Sequence, residues 1–241
     1  MKLKKIASLA LAGIMAVSML AGCGEGISNS GSSSSENTNT VTGYSATLQS
    51  KLSAHASDKI TLSDSNELNN ALNYAAGFVG NNMITDEFID DIQANHGMVT
   101  IVGGTGLGGN DALIKARTNL NDAVGAKVKW DGGKTVSENI ARLDPDQKKE
   151  DDPAYYTKDD VNMVLMYVVD GSVPMENVME EIADDINDDI IGLTDKYVVT
   201  SVGDANFNYT GSVATCTKTY EAGHGVSLTF VAVEIVRHIG K

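Results

Sequence analysis

Residues 226–238 read VSLTFVAVEIVRH, and this stretch decides the fold class. In an extended chain Leu228, Phe230 and Ala232 point one way while Val231, Val233 and Ile235 point the other. A strand that is apolar on both sides must be covered on both, so it belongs in the middle of a sheet. Two segments rich in Val, Thr, Tyr and Phe precede it, Lys196 to Val202 and Ala205 to Thr217. Gly203-Asp204 and Glu221-Ala222-Gly223-His224-Gly225 supply the turns between them. Three strands joined by short turns predict an antiparallel β-meander at the end of the chain.

The body before it, residues 44–192, reads as mainly helical. Leu68, Leu72, Ala75, Ala76 and Val79 recur at helical spacing after Ser63-Asp64-Ser65, which predicts a helix over about 65–79. Thr85 caps a shorter helix carrying Phe88, Ile89 and Ile92, which Asn95-His96-Gly97 would end. Val161, Val164, Leu165 and Val168 repeat at helical spacing behind Thr157, predicting a helix buried nearly all round. After Pro174, Val178, Ile182, Ile186 and Ile190 line one face of a long helix over 175–191. Its other face carries Glu180, Glu181, Asp184, Asp185, Asp188 and Asp189, a solvated acidic surface with like charges four apart. The expected class is therefore α+β, with helices packed on a C-terminal antiparallel meander in a single domain over 44–241, strand-rich from 193.

Between these helices lies a βαβ-like unit over 98–130: a strand at Met98 to Val102, a glycine-rich loop, a helix over 111–124, and a short strand at Ala126 to Trp130. In the loop Gly104, Gly106 and Gly109 match G-x-G-x-x-G, the spacing at which backbone amides can approach a phosphate at a helix N-terminus. A nucleotide or phosphate-ester site here is a candidate cofactor reading. Asn110-Asp111 opposes it by putting a carboxylate where the phosphate would sit, and a flexible glycine turn is the simpler reading. A short helix from Val136 holds Ile140 and Leu143 together and ends before Pro145. Residues 144–160 are polar and acidic, with Glu150, Asp151, Asp152, Asp159 and Asp160. These carboxylates could offer oxygens to calcium, but the spacing does not fit a twelve-residue EF-hand loop, so no metal is expected.

The first 22 residues have another purpose. Lys2, Lys4 and Lys5 precede an apolar run from Ile6 to Met19, too short for a spanning helix of about 20 residues and laid out as an export signal. Leu20-Ala21-Gly22-Cys23 resembles the lipobox of bacterial lipoproteins. The resemblance implies cleavage before Cys23, acylation of its thiol, and a membrane-anchored protein on the extracytoplasmic face of the cell membrane. Residues 23–43 follow as a Ser/Gly/Asn/Thr-rich tether, too polar to offset its own ordering entropy and spanning roughly 25 Å as a flexible coil. Cys216 is then the only thiol left to the mature chain, which excludes an intrachain disulfide, and its place in a strand predicts burial.

The chain has 241 residues, with 18 Lys and Arg against 32 Asp and Glu, for a net charge of −14. Three of the basic residues fall in the signal, so the mature chain carries 15 against 32, a net −17. That balance excludes a general nucleic-acid binder. No zinc spacing, nucleophile elbow or Cys/His cluster is present; His55, His96, His224 and His238 fall one to an element. The catalytic candidates are carboxylates, His224 between two glycines in a turn, or both, although surface decoration is the simpler reading of His224. The leading functional expectation is a non-catalytic binding or interaction module for an envelope or extracellular ligand. An exported hydrolase is the alternative, and phosphate-ester binding at the loop 103–109 is the second.

Overall fold

The computed structural model of the chain describes residues 43–94, 99–104, 106–145, 159–199, 203–221 and 225–240. The export signal, Cys23 and nearly all of the tether lie outside the described residues. None of the described helices is long and apolar enough to cross a membrane.

The fold is α+β. Helices α1 (Ser45–Lys51) and α2 (Ala54–Lys59) lead into β1 (Ile60–Leu62), followed by α3 (Asn66–Ala76), α4 (Asp86–Ala94), β2 (Thr100–Ile101), α5 (Asp111–Ala123) and α6 (Val136–Ile140). Strand β3 (Val161–Asp170), helix α7 (Met175–Gly192) and strands β4 (Lys196–Val199), β5 (Gly203–Thr219) and β6 (Ser227–Gly240) complete it. Caps set where the helices start. Ser65 accepts from the Leu68 amide, Thr85 from the Phe88 amide, and Thr135 with Glu138 forms a capping box on α6.

The sheet runs β1-β5-β6-β3-β2, with β4 also paired to β5. The predicted meander is present: β4, β5 and β6 pair antiparallel in sequence order. Strand β6 is central, and its two faces enter two separate cores. Val231, Val233 and Ile235 join α1, α2, α6 and α7 on one side; Leu228, Phe230 and Ala232 join α3, α4 and α5 on the other. Helix α7 buries Val178, Ile182, Ile186 and Ile190 in the first core, as its spacing predicted, and Cys216 is buried in the second.

The helix expected over 161–168 is a strand. Strand β3 pairs antiparallel with β6 over ten residues, Val161 opposite Arg237 through Asp170 opposite Leu228. Met163, Leu165, Tyr167 and Val169 pack into the first core; Val164, Met166 and Val168 pack into the second. A strand covered on both faces needs apolar residues at nearly every position, and such a run contains the helical spacing by default. The Thr157 cap lies outside the described residues. The sheet thus takes β1, β2 and β3 from the part of the chain expected to be mainly helical.

Over 98–130 the order of strand, loop, helix and extended segment is present, with its own pairing. Strand β2 runs antiparallel to β3, whereas Val128 makes one parallel bridge to Met163. Both pieces therefore lie on the same edge of β3, antiparallel to each other and α5 between them in sequence.

Candidate functional site

Among the described residues, no helix lies over one half of one sheet face. Along β5, Asp204, Asn206, Asn208 and Thr210 are exposed, while Ser212, Ala214 and Cys216, next along the same face, are buried. Helices α3 to α5 cover the half nearest the β5–β6 turn, around Phe230 and Ala232. Beyond them Glu234, Val236 and His238 of β6 and Asn162 of β3 are partly exposed. The register puts Thr61, Thr210, Val236 and Asn162 side by side across four strands.

Two hydrogen-bonded groups occupy this open face. In the first, Asn162 Nδ2 donates to Glu234 Oε1 at 2.9 Å and Ser212 Oγ donates to the other carboxylate oxygen at 3.4 Å. In the second, Thr210 Oγ1 lies 2.7 Å from His238 Nε2, and His238 Nδ1 lies 2.7 Å from Asp160 Oδ2. Asp160 Oδ1 also accepts from the Ile239 amide at 3.3 Å. The His238 hydrogen bond, foremost among these contacts, holds the Asp160 carboxyl below its ordinary range against a smaller opposing effect of burial. In the tautomer that puts the ring hydrogen on Nδ1, the Asp160 carboxylate accepts from Nδ1–H and Nε2 accepts from the Thr210 hydroxyl. Hydroxyl, imidazole and carboxylate thus stand in series, on β5, on β6 and just before the start of β3.

The register brings them together. Asn208 stands directly opposite His238, and Thr210 is two residues further along the same face of β5. Asp160 immediately precedes β3, whose Val161 pairs with Arg237. Beside this end, β5 leaves a gap between its pairing with β4, which ends at Asn206, and with β1, which begins at Tyr209. An open cleft of about 440 Å³ lies at the gap, lined by His55, Asp58, Lys59, Asp195, Phe207 and Asn208 among others. Lys59 and Asp195 form an ion pair of 2.5 Å across it.

The glycine-rich loop packs as a turn. The Gly103 amide donates to the Gly108 carbonyl at 2.7 Å, and Trp130 Nε1 donates to the Gly103 carbonyl at 3.1 Å. The first amides of α5 are taken by Asn110, whose Oδ1 accepts from Ala112 and Leu113 at 3.0 and 3.4 Å. Gly104, Gly106 and Gly109 therefore border a helix start already capped by its own side chain.

Of the acidic candidates, Asp160 joins His238; Asp151 and Asp152 lie outside the described residues, as do His96 and His224. Asp159 is exposed. Among the described residues no group of three or more His, Cys, Asp or Glu side chains is placed to hold a metal ion. Nothing local in the sequence singles out His238 or Thr210. The exposed Asn206, Asn208 and Thr210 alternating along β5 were the available signal, but residues 28 and 78 positions apart meet only through the register. No protein-family model matches the chain, and comparisons with curated proteins and with solved structures give no significant match.

Proposed function

We propose that this is a lipid-anchored extracytoplasmic protein, acylated at Cys23, whose folded body binds an envelope or extracellular ligand. The observation that carries the binding reading is the half-face of the sheet that no described helix covers. A sheet face next to a core normally has apolar residues under a helix; here the same strands change to Asn, Thr, Glu and His where the helices stop. Such a polar surface suits an extended ligand that exchanges hydrogen bonds along its length. The surplus of carboxylates, Asp160, Asp204 and Glu234 among them, favours a neutral or cationic ligand.

Hydrogen exchange of the full-length chain in detergent, with and without peptidoglycan fragments and envelope polysaccharide, tests this. Protection at 206–212 and 234–240 is expected. Protection confined to other elements, or none with any fraction, overturns the reading. Metabolic labelling with a radioactive fatty acid tests the anchor: wild type takes up label and Cys23→Ala does not, and equal labelling of the two refutes it.

A further inference from the structure

We infer that Thr210, His238 and Asp160 form an acyl-ester hydrolase centre on the open sheet face. The inference rests on the binding reading of that face and adds to it a reaction and a substrate class. Three features carry it. The hydroxyl and the carboxylate engage opposite nitrogens of one imidazole, both at 2.7 Å, the arrangement in which a base removes a hydroxyl proton while a carboxylate fixes its tautomer. Thr210 is exposed, so a carbonyl carbon can reach Oγ1. Asn208 stands opposite His238 on the same face, where its side-chain amide can donate to an oxyanion; the backbone amides of a paired strand are spent on the ladder and cannot.

In the first step Thr210 Oγ1 attacks the ester carbonyl carbon and His238 Nε2 takes its proton. The C–O bond to the alcohol breaks, the alcohol leaves with the proton from Nε2, and an acyl-threonine remains. Water then attacks that acyl carbon, giving a proton to Nε2. The bond to Oγ1 breaks, the carboxylic acid departs, and the proton returns to Thr210. The sum is ester plus water to acid plus alcohol, with no other reactant. Thr210 and His238 are the catalytic residues and Asp160 is a positioning residue. The surface left open among the described residues, with the cleft that Asn208 lines beside it, points to an acyl group displayed on an extended neutral chain.

The test uses the full-length chain in detergent with p-nitrophenyl acetate as probe. Wild-type turnover is expected to fall by about 10²–10⁴-fold in Thr210→Val and His238→Gln and to survive in Thr210→Ser. Asn208→Ala should lower kcat more than it raises KM, and Asp160→Asn should lower kcat and displace the pH profile. Acid quench should trap an acyl adduct that peptide mass spectrometry places on Thr210. Turnover unchanged in Thr210→Val, or an adduct elsewhere, overturns the inference, as does a wild type that turns over no faster than Thr210→Val. Circular dichroism of each variant separates loss of chemistry from loss of fold. Exchange protection at 206–212 with envelope fractions but no Thr210-dependent turnover would sink the hydrolase alone; absence of that protection would sink the binding reading.

Discussion

The Tyr167 hydroxyl donates a 2.9 Å hydrogen bond to Asp185, joining the middle of β3 to the acidic face of α7. Tyr167 is 2% exposed, and burial pushes its ionisation well above the ordinary phenol range, so it remains a donor at all working pH. On the other side, burial raises the Asp185 carboxyl, Asp189 adds to the rise, and the Tyr167 hydrogen bond opposes it. The acidic helix face is thereby coupled to the core through one residue pair.

That coupling sets a pH dependence with a definite sign. A carboxyl raised in the folded state binds more protons than the unfolded chain does just above the ordinary carboxylate value. Stability therefore falls as pH rises through that window and levels off above the raised value. Urea denaturation of Asp185→Asn at steps between about pH 4 and pH 7 should show a flatter profile than wild type. Tyr167→Phe should cost about 1 kcal/mol and steepen the decline, since the opposing hydrogen bond is gone. A steeper profile for Asp185→Asn than for wild type would refute the assignment.

Asp160 has the opposite sign. Its folded carboxyl titrates below the ordinary range, so its contribution is present above the unfolded value and lost as pH falls through the folded one. In Asp160→Asn the acid limb of the stability curve should lose slope, and the His238 imidazole signals should move in NMR spectra at neutral pH. Unmoved His238 signals would mean that the 2.7 Å contact does not persist in solution.

Arg237 is fully buried, with its guanidinium 4.6 Å from the Phe207 ring centroid and Nη1 donating to the Leu143 carbonyl at 2.5 Å. Arg237→Ala removes the cation over the ring and leaves that carbonyl without this donor, and should destabilise by about 2–4 kcal/mol. Arg237→Lys should recover only part of the loss, because a compact ammonium cannot lie over Phe207 and reach Leu143 as a planar fork does. Chemical denaturation of both variants decides it, and equal stability of Arg237→Lys and wild type would count against the planar contact.

Which parts of this architecture were legible in the sequence follows from the range of the forces involved. Strand β6 was readable because apolar residues on both parities have one explanation once turns bound the segment. Helix α7 was readable because Val178, Ile182, Ile186 and Ile190 repeat over four turns opposite an unbroken acidic face. Strand β3 was not, because an apolar run about ten residues long satisfies both periods, and the arbiter is the open hydrogen-bonding edge that β6 offers, 58 to 76 residues away in sequence. The relay of Thr210, His238 and Asp160 was illegible for the same reason: each residue alone is an ordinary polar surface position, and only the register of three strands puts them in series.

The glycine-rich loop shows the converse, a local motif whose tertiary setting removes its usual meaning. Gly103 has φ +102°, and a Cβ there would fall 1.7 Å from Arg117 Nη1. Gly109 has no such constraint; its nearest neighbour to an added Cβ is the Gly104 carbonyl at 3.3 Å. If the loop is a structural turn, Gly103→Ala should destabilise by more than about 1 kcal/mol and Gly109→Ala by clearly less. Asn110→Ala should cost about 1 kcal/mol through the lost cap. A phosphate cradle would behave otherwise: Gly103→Ala and Gly109→Ala would both abolish a rise in melting temperature caused by ATP or NAD. No such rise is expected even at millimolar nucleotide, since the Ala112 and Leu113 amides at the start of α5 are already engaged by Asn110. Differential scanning fluorimetry of the wild type and the three variants, with and without nucleotide, separates the two, and a nucleotide-dependent shift lost in both glycine variants would overturn the structural-turn reading.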